Sequence, residues 1–231
     1  MSRRAREDLA AESVAGGAPH GSGAAASEQE KVLADITHEV GNFFHRLYYW
    51  SEYLQAPRGH DPIDASAGEM LHATIRGLEG FLRRALEYFH PLELTRTSMG
   101  VGEILRALAV QVRGQASGAP LEVADLDGWS DAAVLVDPGR FTMAAQAVAR
   151  HLADHLAADS TIAIRLGRHA RTVAIEFIVH RARASSQQAA TSGLEWALAE
   201  RIVQLHGGQL RDEPLVHHTK TVTLELPLAA G

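Results

Sequence analysis

The stretch that decides the fold is Val32-Leu33-Ala34-Asp35-Ile36-Thr37-His38-Glu39-Val40-Gly41-Asn42, near the start of the chain. It belongs to a longer segment, up to Leu54, in which apolar residues recur at alternating steps of three and four. This spacing places the apolar side chains along one face and predicts a helix that packs in a bundle. The helix is predicted to begin at Ser27, where Ser27 and Glu30 fit a capping box, and to end before Pro57.

A second periodic segment follows after a short connection that contains proline and glycine. Ser66 and Glu69 fit another capping box, and the apolar pattern continues from Leu71 to Phe89, before Pro91. Two long helices with a short connection are antiparallel neighbours. The hairpin carries more large aromatic surface than one partner helix covers, so we expect two hairpins to form a four-helix bundle, which implies a homodimer. The aromatic residues concerned are Phe43, Phe44, Tyr48, Tyr49, Trp50 and Tyr53.

From about residue 98 the pattern changes to a mixture of helices and strands, which predicts an α+β sandwich with helices on one face of a sheet. Helices are predicted over 101–112, from the turn at Asp137 to about 156, and over 194–206, where Gly207-Gly208 gives an end signal. Strands are predicted over 120–123, 133–136, 161–166, 173–179 and 219–226, the third and fourth joined by a glycine-containing turn. The expected organisation is a flexible leader (1–26), the helical hairpin (27–92) and the sandwich (98–231).

Composition excludes several classes of function. The 231 residues are 46% hydrophobic and 22% charged, which is typical of globular domains. The net charge is −6 and no basic stripe is present, which argues against nucleic acid as a partner. The absence of cysteine excludes disulfides and thiolate chemistry. No apolar run approaches the roughly 20 residues of a membrane-spanning helix, so we expect no membrane contact and a cytoplasmic location.

The candidate site lies within the opening stretch. On a helix, His38 and Asn42 lie one turn apart on the same face, and Glu39 lies on the flank beside the histidine. His38 is the candidate nucleophile, because imidazole titrates near neutral pH; Glu39 could orient the ring or take its proton, and Asn42 could hydrogen-bond a moving phosphoryl group. His45 shares roughly this face and is the rival nucleophile, but it has no neighbouring carboxylate.

The thirteen histidines also invite a metal-site interpretation. The pairs His217-His218 and His151 with His155 are the obvious candidates, but neither has a third ligand at a convincing spacing. We therefore expect surface or structural histidines and no metal site.

The order of these pieces over residues 28–228 resembles the core of a two-component histidine kinase. Residues 32–39 look like that family's histidine box, which implies that His38 is the phosphorylated residue of a dimerisation and histidine-phosphotransfer (DHp) hairpin. Asp137-Pro138-Gly139-Arg140-Phe141 resembles the start of the asparagine box of the GHKL-type ATPase domain, and residues 200–208 resemble its closing helix. Phe43 departs from the family, since many members have a proline at that position.

The nucleotide-binding elements of that family are not matched. The family's magnesium-binding asparagine should fall at or near His151, where the sequence has no asparagine. Residues 180–184 stand in place of the aspartate that reads adenine and its following glycines. The second glycine-rich loop is reduced to residues 193–196. Bulky and acidic groups in that loop replace the small backbone that would cradle phosphate. The resemblance therefore implies a degenerate ATPase domain that binds no nucleotide cofactor.

What remains is similar to the dimeric histidine phosphotransferases that are built from degenerate kinase cores, such as the ChpT type. That resemblance implies a phosphorelay protein that passes a phosphoryl group between His38 and the receiver aspartate of response regulators, with an upstream hybrid kinase as a further partner. The magnesium ion would belong to the receiver. Two alternatives stay open: an atypical histidine kinase that still binds ATP, and a pseudo-kinase adaptor that sequesters a response regulator without chemistry.

Overall fold

A computed structural model describes residues 22–55, 63–90, 92–116, 118–184 and 190–229. The predicted leader, residues 1–26, lies almost wholly outside this range. The helical part consists of α1 (Ser22–Gln55) and α2 (Ile63–Phe89), which pack against each other. None of the helices in the described ranges is long and apolar enough to cross a membrane.

Aromatic side chains hold the hairpin together. Phe43 of α1 and Phe81 of α2 are both buried, with ring centroids 5.8 Å apart. Gly77 lets α2 approach this contact, because a Cβ atom there would lie 3.1 Å from Cε1 of Phe43. Both predicted capping boxes are wrong, since Ser27 and Ser66 lie inside their helices. The helical spacing therefore identified the two helices but not where they begin.

The remaining elements form the sandwich, and the predicted α+β fold is confirmed. Its strands are β1 (Thr97–Gly100), β2 (Leu121–Val123), β3 (Ala133–Val136), β4 (Thr161–His169), β5 (Thr172–His180), β6 (Gln209–Asp212) and β7 (Thr219–Pro227). Its helices are α3 (Val101–Gln115), α4 (Pro138–Ala153) and α5 (Ala190–Leu205).

The main sheet has five strands in the order β2-β4-β5-β7-β6, with β2 and β4 parallel and the other pairs antiparallel. Strands β1 and β3 form a separate antiparallel pair. The turn between β4 and β5 contains Ala170 and Arg171, whereas Gly167 lies within β4 opposite Ala174. The prediction of a glycine at this turn is therefore wrong. Ala170 adopts the positive φ of 48° that the tight turn requires.

Alternating residues of the central strands form the core. Val173, Ile175, Phe177 and Val179 of β5 are all buried, as the period of two predicts for one face of a sheet. They belong to the same hydrophobic cluster as Phe141 of α4 and Ile202 of α5. Gly207, with a φ of 77°, ends α5 as predicted.

Helix α5 packs on both helices of the hairpin as well as on α4. The guanidinium of Arg201 donates to the backbone carbonyls of Tyr88 and His90 at the end of α2. Near its other end, a Cβ atom on Gly193 would lie 3.1 Å from Oδ2 of Asp35 in α1. The sandwich therefore sits against the hairpin one helical turn from His38.

Candidate functional site

His38 lies exposed on α1, on a helix face separate from the buried contact with α2. Its Nδ1 lies 3.3 Å from Nδ2 of Asn42, one turn further along the helix. The histidine and the asparagine are thus brought together as the spacing predicts. The other ring nitrogen, Nε2, has no hydrogen-bond partner among the described residues.

Glu39 lies differently from a simple flank position. Its side chain is only 7% exposed, and each of its two carboxylate oxygens contacts a different residue. Oε2 accepts a hydrogen bond of 3.1 Å from Nδ2 of Asn42, and Oε1 lies 3.0 Å from Nη2 of Arg46. The carboxylate therefore reaches His38 through Asn42 and not directly.

The carboxylate fixes which atoms donate in this group. With the amide nitrogen of Asn42 turned toward Glu39, the same nitrogen faces Nδ1 of His38. Nδ1 then accepts, and the proton of the neutral imidazole resides on Nε2. Attack through Nε2 would require that proton to move and the contact between Asn42 and Nδ1 to open.

Arg46 completes the group and was missed by the sequence reasoning. Its guanidinium contacts Glu39, donates from Nε to the backbone carbonyl of Asn42 at 3.3 Å, and stacks 4.5 Å from the ring centroid of Phe43. The signal was present in the sequence, because Glu39 and Arg46 are seven residues apart and lie two helical turns from each other on one face.

His45 has no hydrogen-bond partner in the part of the chain that the structure describes. It lies at the edge of an open groove of about 760 Å³ between α1 and α2. Tyr49, Trp50 and Met70 belong to its apolar lining, and Arg46 also lines it. The groove is continuous with the helix face that carries His38, since His38 and His45 are two turns apart.

In the sandwich, an aromatic and an acidic side chain contact His151, the position where the resemblance leads one to expect an asparagine. Nε2 of His151 lies 3.1 Å from Oδ1 of Asp212, and the His151 ring lies 4.6 Å from the ring of Trp196. Lys220, which is buried, lies 2.6 Å from the same Asp212 oxygen. Burial by itself would raise the pKa of Asp212, but hydrogen bonds from His151 and Lys220 outweigh it and lower the pKa.

The segment that replaces the adenine-reading residues is held by its backbone. The amide of Ala182 donates to the carbonyl of His218 at 2.7 Å, and the amide of Arg183 donates to the carbonyl of His155 at 2.9 Å. His155 is buried, which lowers its pKa, and its Nδ1 donates to the carbonyl of Arg183. Residues 182 and 183 are therefore tied by hydrogen bonds to His155 and to the turn at His218.

The candidate metal pairs gain no third ligand. Within the described ranges, no group of three or more histidine, aspartate or glutamate side chains is close enough to hold a metal ion. His217 and His218 instead occupy the two central positions of a tight hairpin turn, with φ values of 48° and 60°.

The comparisons with known proteins give a fold and no closer relationship. No family model and no curated protein matches the chain. The histidine kinase ThkA, solved in complex with the response regulator TrrA, superposes with a TM-score of 0.61 at 16% identity, covering 88% of this chain and 63% of ThkA.

Two further histidine kinases give similar superpositions. Full-length ShkA, solved with AMPPNP, has a TM-score of 0.58 at 14% identity, covering 87% of this chain and 46% of ShkA. AdeS of Acinetobacter baumannii has a TM-score of 0.57 at 13% identity, covering 84% of this chain and 98% of AdeS. This chain therefore has a histidine-kinase-like core, a DHp-like hairpin joined to a GHKL-like α+β sandwich.

Proposed function

We propose that this protein is a histidine phosphotransferase of a bacterial phosphorelay, with His38 as the phosphoacceptor. The observation that carries the proposal is an exposed imidazole whose Nδ1 is held by Asn42, which is itself held by the buried carboxylate of Glu39. An accessible nucleophile held in one orientation is what in-line phosphoryl transfer needs. The supporting network consists of residues on a single rigid helix, α1.

The proposed reaction exchanges one phosphorus bond for another. A ring nitrogen of His38 attacks the phosphorus of a receiver aspartyl phosphate, a P–N bond forms, the P–O bond to the aspartate breaks, and the carboxylate leaves. The reverse reaction phosphorylates a second receiver. Asn42, freed from Nδ1 as the proton shifts, can donate a hydrogen bond to a phosphoryl oxygen, while Glu39 keeps the amide in reach. Magnesium would be held by the receiver.

We further propose that the phosphoryl group comes from another protein and not from ATP bound here. This is supported by the residue at position 151, where the resemblance leads one to expect an asparagine and where His151 contacts Trp196 and Asp212 instead. The upstream donor is then the receiver domain of a hybrid kinase, and a cytoplasmic location follows from such partners.

A homodimer is part of this proposal, because the hairpin leaves a large apolar face open. Among the described residues of the two helices, ten large apolar side chains are at least 40% exposed, and seven of them recur at helical spacing away from the buried seam. A second copy of the hairpin would cover this face and complete a four-helix bundle. The residues are Leu33, Phe44, Tyr48, Ile75, Leu82, Leu86 and Phe89.

The receiver is proposed to dock on the groove beside Tyr49, Trp50 and Met70, which adjoins the face that carries His38. ThkA, one of the superposed kinases, was solved with its response regulator, which is consistent with a receiver as partner. An apolar groove bordered by Arg46 suits a protein surface with apolar and acidic side chains.

The experiment is to mix the protein with a receiver domain that carries labelled phosphate on its aspartate. We expect acid-labile, base-stable label on the wild type and on His45→Gln, and none on His38→Gln. Label retained on His38→Gln would mean that another residue is the phosphoacceptor. Titration with ATP tests the first alternative, since an atypical histidine kinase would bind the nucleotide. A His38→Ala variant with unchanged receiver binding and unchanged signalling output would favour the second alternative, the pseudo-kinase adaptor.

A further inference from the structure

A second cleft lies between the hairpin and the sandwich, away from the groove beside His45. It has a volume of about 490 Å³ and is lined by one face each of α2, α4 and α5. This volume lies in the range of small-molecule sites, roughly 300–1,000 Å³, which occur preferentially where domains meet. The cleft therefore has the size and the setting of a ligand site.

The charges around the cleft do not cancel. Four arginines and three glutamates line it. The side chain of Glu195, which is 11% exposed, is shared by two of them, with Oε1 3.1 Å from Nε of Arg84 and Oε2 against Arg150. Glu87 is paired with Arg140. Arg76 and Arg83 have no ion-pair partner among the described residues, and Glu79 is the remaining carboxylate.

One buried donor in this cleft lacks an acceptor. Nε of Arg84 is buried, and although Glu195 is near enough for an ion pair, the angle does not make a hydrogen bond. A buried donor without an acceptor has a free-energy cost, so the pairing of Arg84 with Glu195 is not an optimal one. Apolar residues of α4 and α5 also line the cleft, and Met143 of α4 is partly exposed, whereas Leu198 of α5 is buried.

We propose that this cleft binds a small organic anion, with a phosphate or carboxylate group held by arginines and an apolar body beside Met143. Guanidinium groups bind either oxyanion in a bidentate manner, so the shared chemistry is the planar pair of oxygens. Because α2 belongs to the hairpin and α4 and α5 to the sandwich, such a ligand would contact both. The site is independent of phosphotransfer at His38.

The test is isothermal titration calorimetry of the whole chain with 1-naphthyl phosphate, 1-naphthoate and the neutral 1-naphthol. We expect saturable binding of at least one of the two anions, with Kd below about 1 mM, and at least about tenfold weaker binding of 1-naphthol. The phosphate and carboxylate arms identify the preferred group. The same titration with His38→Gln should give the wild-type result.

Two double variants locate the site. Arg76→Gln with Arg83→Gln removes two exposed charges at the cleft and should weaken anion binding about tenfold. Arg106→Gln with Arg113→Gln removes two exposed charges on α3, which does not line the cleft, and should leave binding unchanged. The proposal is wrong if neither anion binds, if 1-naphthol binds as well as the anions, or if both double variants lose binding equally. It is also wrong if the cleft variants slow transfer from a receiver without changing anion binding.

Discussion

Replacing Arg46 by glutamine should destabilise the protein and disturb the group around His38. Arg46 is 51% exposed, whereas its partner Glu39 is 7% exposed. An exposed ion pair contributes about 0.2–1 kcal/mol, while breaking a fully buried pair costs about 3–5 kcal/mol. Because one partner is buried and the other is half in water, we expect Arg46→Gln to lower the free energy of unfolding by about 1–2 kcal/mol.

A double-mutant cycle with Glu39→Gln isolates the pair. Arg46 also stacks on Phe43, but that loss occurs in both backgrounds and cancels in the coupling energy. We expect a coupling of about 1 kcal/mol from urea unfolding followed by circular dichroism at a fixed protein concentration. Glu39→Gln should also slow transfer from a phosphorylated receiver, since Asn42 loses its charged acceptor.

Two results would refute this reasoning. A coupling energy within error of zero would mean that Arg46 and Glu39 do not interact in solution. A Glu39→Gln variant that transfers phosphate at the wild-type rate, with Asn42→Ala equally active, would mean that the network does not orient His38. The control is Arg113→Gln, which removes an exposed arginine of α3 and should leave both measurements unchanged.

Three further predictions concern stability. Gly208→Ala should lower the free energy of unfolding by about 2–4 kcal/mol, because the added Cβ atom would lie 2.2 Å from the carbonyl oxygen of Glu225. The matched control is Gly41→Ala, whose added Cβ atom would have no atom within 4 Å. This variant should raise the free energy of unfolding by about 0.5–1 kcal/mol in the same urea assay. Burial lowers the pKa of His206 below the ordinary 6.5. The unfolded chain therefore binds more protons than the folded chain below that pH, and the free energy of unfolding should fall as the pH drops from 6.5. The variant His206→Gln keeps an acceptor for the amide of Asp137 and should weaken this pH dependence, and an unchanged pH dependence would contradict the assignment. Hydrogen bonds from the backbone amides of Arg140 and Thr95 lower the pKa of Asp137 below 3.8. The stability that the ionised Asp137 contributes to the fold is therefore complete above that pH and is lost as the pH falls through the lowered pKa. Thermal melts should show Asp137→Ala less stable than the wild type by about 1 kcal/mol at neutral pH, with a smaller difference in acid.

The periodic patterns predicted the type of most elements but not their ends. The first helix begins at Ser22 and not at Ser27, because a serine followed by a glutamate three residues later also fits within a helix. Strands β1 and β6 were missed, since their sequences, Thr-Ser-Met-Gly and Gln-Leu-Arg-Asp, are mostly polar, whereas the equally short β3, Ala-Val-Leu-Val, is apolar and was predicted. The turn at Ala170 was placed wrongly, because a non-glycine residue adopts the left-handed conformation there.

The candidate site was predicted in part. Helical spacing brought His38 and Asn42 together, because residues four apart on a helix face each other whatever surrounds them. The burial of Glu39 could not be read from α1 alone, because it depends on how other elements pack on that helix. The pairing of Glu39 with Arg46 lies within α1 and was missed although the seven-residue spacing allows it.

The sequence by itself determined the amphipathic hairpin and the placement of an imidazole and a carboxamide on one helix face, since both follow from local residue order. Only the tertiary structure decided which side chains contact His151 and how the sandwich meets the hairpin. Those outcomes depend on residues far apart in the chain, such as Trp196 with His151 and Glu195 with Arg84, whose contacts no local pattern specifies.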